Sequence, residues 1–295
     1  MQQKPNKFLT WIFYFNEKQI TVKDFNQKIV VITGAGSGMG RSMAVQLAAA
    51  GAVVLLSDKN EEGLKETKAL VEAANGKCKT YVVNVAERSR IEAFAKEVLA
   101  EFNYIDVLIN NAGMAIGEAT LNEIKLEDFE LLINVNMWGV IHHTRVFLDS
   151  LLTRPEAAVV NTSSVFGLMG IPGQIPYCIS KYAVRGFTES LRLELNGTNV
   201  AVTCVHPGGI DTNIVSNGIH YKNKETTIQE FKKLVITSSD KAASIIIKAI
   251  RKKSKRVMVG PDAKLVRLVT QLAPDLIDGF ILKKKASFEK AVKVN

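Results

Sequence analysis

A tyrosine, a lysine and an upstream serine are the residues of this chain best suited to move a proton. Tyr177 and Lys181 stand four apart in Tyr177-Cys178-Ile179-Ser180-Lys181, and Ser164 precedes Tyr177 by thirteen residues. On a helix, positions i and i+4 stack on one face. An ammonium beside a phenol favours the phenolate and lowers a tyrosine pKa that starts near ~10. The spacing therefore predicts a proton donor and acceptor that works near neutral pH. Such a pair also occurs on ordinary exposed helices, so its surroundings must decide.

The elements upstream supply a place for a nucleotide. An apolar run, Ile29 to Thr33, enters Gly34-Ala35-Gly36-Ser37-Gly38-Met39-Gly40, and a helical pattern then continues to Gly51. A glycine-rich turn lets backbone approach a pyrophosphate, and the helix N-terminus offers free N–H groups and a favourable dipole. The next strand, from Val53 to Ser57, ends at Asp58, about twenty residues past the glycines. An acidic group there accepts hydrogen bonds from an adenosine ribose and repels a 2′-phosphate, which predicts NAD over NADP. Arg41 and Lys59 could blunt that preference without removing the charge. Amphipathic helices over 61–75 and about 87–102 alternate with strands at Thr80 to Val83 and Val107 to Ile109. A long helix over about 126–152 follows, then a strand from Val159 to Ser164, a helix over 175–195, and strands at Val200 to Val205 and Val257 to Val259. This alternation predicts an α/β fold: a Rossmann-type, doubly wound parallel sheet of about seven strands with its ligand at the strand C-termini.

Five motifs in order resemble the short-chain dehydrogenase/reductase family over about residues 26–260. They are Thr33-Gly34 through Gly40, Asn110-Asn111-Ala112-Gly113, the Asn136-Met137-Trp138-Gly139 segment, Ser164 with Tyr177 and Lys181, and Pro207-Gly208 with Thr212. The resemblance implies hydride transfer between a nicotinamide and a carbinol or carbonyl carbon. It makes Tyr177 the general acid or base, Lys181 its pKa modulator and a ribose ligand, Ser164 the partner of the substrate oxygen, and Asn136 the anchor of a proton-relaying water. Cofactor contacts are expected from Gly34, Ser37, Gly38, Met39, Gly40, Asp58, Asn84, Val85, Asn111, Ala112, Gly113, Tyr177, Lys181, Pro207, Gly208, Ile210 and Thr212. At Asn84 the family often has Asp. Substrate contacts fall to Ser164, Met169, Tyr177 and Ile214, with Ile171 and Pro172 beside Met169 and a lid over 213–236. The apolar character of that lid points to a hydrophobic alcohol or carbonyl compound. The expected protein is an NAD(H)-dependent alcohol dehydrogenase or carbonyl reductase. The competing class is a catalytically silent dinucleotide-binding regulator or scaffold, which the complete set Asn136, Ser164, Tyr177 and Lys181 disfavours. An even-numbered homo-oligomer, dimer or tetramer, is the family expectation.

The totals fit one such unit, with extensions over 1–25 and 261–295. Its 295 residues are 47% hydrophobic, enough for a large core. Three cysteines, Cys78, Cys178 and Cys204, lack metal-ligand spacing, so no metal site is expected and a reducing compartment is. Net charge is +9, and the excess lies late: residues 214–295 carry 18 Lys/Arg against 7 Asp/Glu. No nucleic-acid motif accompanies it, so nucleic acid is set aside as a partner. No apolar run reaches the ~20 residues of a spanning helix. Phe8 to Phe15, and a basic amphipathic pattern through Leu265, Leu268, Val269, Leu272, Leu276, Ile277 and Phe280, either touch a membrane surface or pack on the protein. Within the long helix Trp138 and Phe147 read as core, and His142 and His143 as structural. The expected location is cytoplasmic, with peripheral membrane contact left open.

Overall fold

The computed structural model of the protein describes residues 22–221, 223–279 and 281–283. Phe8 to Phe15, Phe280 and Lys284-Lys285 lie outside the described residues. Seven parallel strands form one sheet in the order β3-β2-β1-β4-β5-β6-β7. They are β1 (Ile29–Thr33), β2 (Val53–Asp58), β3 (Lys77–Val82), β4 (Val107–Asn110), β5 (Ala157–Thr162), β6 (Val200–Pro207) and β7 (Arg256–Val259). β1 pairs with β2 and β4, opening a crevice above their carboxyl ends where the winding reverses.

Strand alternation assigns the two faces. Val30 and Ile32 of β1 join Val54, Leu56, Val107 and Ile109 on one side. There they meet Met43 and Leu47 of α1 (Gly38–Ala49), Leu64 and Val71 of α2 (Glu61–Ala73), and Ile246 and Ile250 of α8 (Ser239–Arg251). Ile29 and Val31 turn the other way, with Leu55, Leu108 and Val159. That side is covered by α3 (Arg88–Phe102), α5 (Gly139–Leu152) and α6 (Ile175–Glu194) through Ile91, Phe94, Phe147, Leu151 and Leu191. Strands buried on both faces read as continuous apolar runs because neither side meets water.

Three elements depart from the sequence expectation. β3 begins at Lys77 rather than Thr80; as an edge strand it exposes alternate residues, so its first half carries lysines that hide a strand signal. β5 spans Ala157–Thr162, so Ser163 and Ser164 stand beyond its carboxyl end. The helix expected over 126–152 is α4 (Leu126–Ile133), a five-residue π turn (Asn134–Trp138) and then α5. On that wide turn Trp138 is 44% exposed and stacks on His142, whereas Phe147 is fully buried. The segment after β6 carries α7 (Lys224–Leu234), and α9 (Pro261–Leu272) follows β7. Among the described residues no helix is long and apolar enough to cross a membrane.

Candidate active site

Each strand loses its neighbours at its carboxyl end, and the loops that follow converge there. Gly34 takes φ +67°, and a Cβ on it would stand 2.7 Å from the Ala112 Cα, so the two glycine-bearing segments are in contact. The Thr33 hydroxyl accepts hydrogen bonds from the N–H groups of Asn111 and Ala112, each 3.0 Å long. Asn111 returns its amide to the carbonyls of Thr33 and Gly34. Gly38, at φ +51°, abuts Thr212, where a Cβ would approach the threonine side chain to 3.1 Å. Ser37 caps α1 with no side-chain hydrogen bond of its own. Met39 is half-buried against the α1–α8 core, and Gly40 packs on the Gly34 carbonyl.

Asp58 closes the far end of the cradle. Its carboxylate accepts from Gly36 N–H and Asn60 N–H, both at 2.9 Å. Arg41 is turned aside: its guanidinium binds Glu66, the Gly36 carbonyl and the Thr67 hydroxyl. Asn84 accepts from Ala86 N–H and donates to Glu87, while Val85 packs on Gly139. Ile210 is buried and bridges to Thr237.

Tyr177 and Lys181, on the first turns of α6, lie on the inner face of the cleft. The Ser164 hydroxyl accepts from Phe166 N–H at 3.1 Å and lies near enough to the Tyr177 phenol to favour its ionised form. Lys181 donates to the Thr162 carbonyl at 3.1 Å, and its Nζ is 5.6 Å from the Tyr177 ring centre. Asn136 is fully buried, accepting from Met114 N–H at 2.8 Å and donating to the Met114 carbonyl and the Ser180 hydroxyl. Gly113 connects this group to the cradle, since a Cβ there would lie 3.2 Å from Asn136 Oδ1 and 3.4 Å from Lys181 Nζ.

The ionisation of the pair differs from the expectation. Burial pushes the Tyr177 phenol up to about 12, with the Ser164 hydrogen bond pulling the other way. Burial likewise takes the Lys181 amine down to about 8. Desolvation outweighs the attraction between ammonium and phenolate, and burial shifts each group toward its neutral form. The lysine's spare hydrogens and partnerless buried acceptors mark a site built for another molecule. Asn111 Oδ1 and Thr162 Oγ1 are both buried without a hydrogen-bond partner among the described residues. A dinucleotide fits this set: its phosphates at the glycine turn and α1 N-terminus, its adenosine ribose at Asp58, its nicotinamide half toward Lys181, Thr162 and Pro207.

Of the expected substrate contacts, Ile214 is half-buried in the segment after β6. Met169 packs instead against Val165, Met258 and Ala263, the apolar cluster under α9. Ile171 and Pro172 line a largely apolar cavity of about 650 Å³ with Cys178, Ile179, Tyr182 and Ile281, where Met169 takes no part. Two further residues shape the site without a sequence signal. His206, fully buried, donates from Nδ1 to the Ser164 carbonyl at 3.0 Å, the acceptor fixing the tautomer. Asp262 accepts from Gly209 N–H at 2.7 Å and so holds the Pro207-Gly208-Gly209 turn from across α9. Tyr221, a residue of the lid expected over 213–236, buries its hydroxyl.

Comparison with known proteins agrees with this construction. The family model described as short chain dehydrogenase matches residues 28–222. SadH of Mycobacterium tuberculosis, provisionally named an oxidoreductase, is 38% identical over 256 residues, covering 85% of this chain and 92% of SadH. The 3-oxoacyl-acyl-carrier-protein reductase FabG of Thermotoga maritima is 34% identical over 242 residues, covering 81% of this chain and 98% of FabG. A short-chain dehydrogenase/reductase from Burkholderia phymatum, solved in complex with NAD, superposes with a TM-score of 0.78 at 28% identity, covering 86% of this chain and 95% of its own.

Proposed function

Because the chain belongs to the short-chain dehydrogenase family, we propose that it is an active NAD(H)-dependent oxidoreductase interconverting a hydrophobic alcohol and its ketone or aldehyde. The observation that carries the proposal is the meeting of Asn136, Ser164, Tyr177 and Lys181 beside the glycine cradle, with Gly113 touching both groups. The bound nicotinamide supplies or takes the hydride. The protein manages the proton. Tyr177 donates to the substrate oxygen during reduction and accepts from it during oxidation. Ser164 has its oxygen engaged by Phe166 N–H, so its O–H is directed to the phenol or to the substrate oxygen, where negative charge develops. A protonated Lys181 favours the phenolate, and its remaining hydrogens suit ribose hydroxyls. Asn136 is the proposed anchor of a proton path from Lys181, on the side where Gly113 lies against both.

The choice of NAD rests on Asp58, whose carboxylate is oriented by two backbone N–H groups, and on Arg41, which is engaged by Glu66. Ile214 and the cluster of Met114, Ile116 and Ile219 around Tyr177 favour a hydrophobic substrate. The FabG relative is named for reduction of a carbonyl, the same class of reaction. A cytoplasmic homo-oligomer completes the proposal, associating through surfaces that expose Leu126, Leu131 and Trp138. Exposed Leu265, Leu268 and Leu272 beside Lys264 and Arg267 suit peripheral membrane contact.

The test is a fluorescence screen of NADH loss across ketones of graded chain length, repeated with NADPH. Turnover that follows chain length and favours NADH is expected. Tight NADH binding with no turnover on any carbonyl would leave the scaffold reading standing in its place.

A further inference from the structure

The segment after β6 is laid over the cleft and fastened there. Ile219 pairs with Ile116 in a parallel bridge, with Gly117 N–H donating to the Ile219 carbonyl at 2.8 Å and Ile219 N–H to the Ala115 carbonyl at 3.2 Å. Gly117 lies against the His220 carbonyl, where a side chain would collide with it. His220 takes φ +58°, a left-handed conformation uncommon for a residue with a Cβ, and its Nδ1 stands 3.0 Å from Asp128 Oδ2 on α4. A strained residue persists where its surroundings over-determine it, and such residues gather at ligand clamps.

The next residue is what the clamp delivers. Tyr221 folds back so that its hydroxyl and the ring carbon bearing it lie over Gly218, in the space a Cβ there would need, with the Ala115 carbonyl beside the same space. Its hydroxyl is buried and has no hydrogen-bond partner among the described residues. A buried phenol without a partner loses its hydration and gains no hydrogen bond in exchange, so folding alone gives no reason to place one here. Its neighbourhood is the site itself: Ile219 packs with Tyr177 on the apolar cluster of Met114, Ile116 and Leu132. The two phenols feel each other, a charge on Tyr221 acting to raise Tyr177. Burial also pushes Tyr221 up to about 12, so near neutral pH the group is a donor.

We propose that the Tyr221 hydroxyl is a substrate-binding group that donates a hydrogen bond to a second oxygen of the substrate, close to the reacting carbon. The proposal rests on the oxidoreductase reading and narrows its substrate class to ketones or alcohols bearing a neighbouring acceptor oxygen, such as 3-oxo esters, on an otherwise apolar frame. A simple alkanone would leave the phenol unpartnered. An acceptor oxygen satisfies it, and His220 with Asp128 holds the donor in register.

Two probes of equal length separate these cases: ethyl acetoacetate, which carries the second oxygen, and 2-heptanone, which does not. Tyr221→Phe keeps the ring and removes the hydroxyl that lies over Gly218. For the keto ester, kcat/KM should fall about tenfold, the loss of one net hydrogen bond of about 1.4 kcal/mol. For 2-heptanone the change should stay within about twofold. Equal losses on both probes, or no loss on either, overturn the proposal; the first makes Tyr221 a packing residue, the second leaves its hydroxyl to water. Calorimetric binding of ethyl acetoacetate to the NAD-loaded wild type and variant supplies a readout independent of turnover. If neither probe is turned over yet the keto ester binds the wild type about tenfold more tightly than the variant, the Tyr221 contact stands and the oxidoreductase reading fails. Equal binding in that situation overturns both.

Discussion

Replacing Asp58 with Asn tests how the protein chooses its dinucleotide. The carboxylate sits at the carboxyl end of β2, with Oδ2 on Gly36 N–H and Oδ1 on Asn60 N–H, each at 2.9 Å. It is thereby fixed against the turn that receives the adenosine half. A 2′-phosphate brought to about 4 Å from it meets a repulsion of about 4 kcal/mol per unit charge at an effective dielectric of about 20. That corresponds to roughly a thousandfold in affinity, and partial screening by Lys59 and solvent brings the expected discrimination to on the order of 10²–10³. Arg41 does not cancel it, because its charge is already engaged by Glu66 and by the Gly36 and Gly63 carbonyls. Asp58→Asn retains a carbonyl oxygen for one backbone N–H, so the turn should keep its shape while the charge disappears. Titration of NADH and NADPH by nicotinamide fluorescence should show the wild type favouring NADH. In the variant the ratio should shrink at least about tenfold, chiefly through tighter NADPH binding. A wild type that binds both equally, or a variant with an unchanged ratio, refutes the electrostatic reasoning.

Three further outcomes follow from the same geometry. Tyr177→Phe should lower kcat by on the order of 10²–10⁴ while leaving the NADH dissociation constant within about threefold; near-wild-type turnover would remove the phenol from the chemistry. Lys181 has its pKa taken from 10.5 down to about 8 by burial. Between those values the unfolded chain holds a proton that the folded, dinucleotide-free chain has released. Unfolding free energy from this group therefore rises with pH from about 8 to 10.5, its destabilisation being complete below that window and absent above it. Lys181→Met should abolish that slope in denaturant titrations at about pH 7.5 and about pH 9.5, and an unaltered slope would contradict the buried-amine account. Gly40→Val drives a side chain into the Gly34 carbonyl and should abolish NADH binding; a variant that still binds NADH as the wild type does counts against the cradle.

Much of this site was legible because its residues announce themselves by type. Gly34, Gly38 and Gly40 are required where backbones touch, and Tyr177 and Lys181 share a helix face by spacing alone. The strands buried on both faces appear as unbroken apolar runs, so β1, β2, β4 and β6 could be placed without tertiary information. What stayed hidden depends on partners distant in sequence. Asp262 looks like an ordinary acid in the first turn of a helix, and only the return of α9 beneath β7 brings it to Gly209 N–H. His206 is a strand residue with no polar neighbour in sequence, and its carbonyl partner lies 42 residues away. Met169 was placed on the substrate wall by its nearness to Ser164, yet α9 offers it a drier site beside Val165 and Met258. Spacing likewise reports the amine beside the phenol, whereas the burial of Tyr177 and Lys181 is a property of the folded cleft.

The π turn shows why regular periodicity fails where a site is assembled. Leu132, Asn136, Val140 and Thr144 are all buried although they follow one another at steps of four. In an α-helix of 3.6 residues per turn each such step overshoots by about 40°, so the fourth residue would have swung well away from the first. Winding more loosely through Asn134–Trp138 absorbs the drift and keeps the row facing inward. The same loosening turns Trp138 outward, which is why a residue expected in the core stacks on His142 at the surface. Asn136 gains by it three hydrogen bonds, two to the backbone of Met114 and one to Ser180 on the helix that carries Tyr177 and Lys181. Helical regularity is given up where one amide must reach two other segments at once, a tertiary requirement that no pattern within 126–152 expresses.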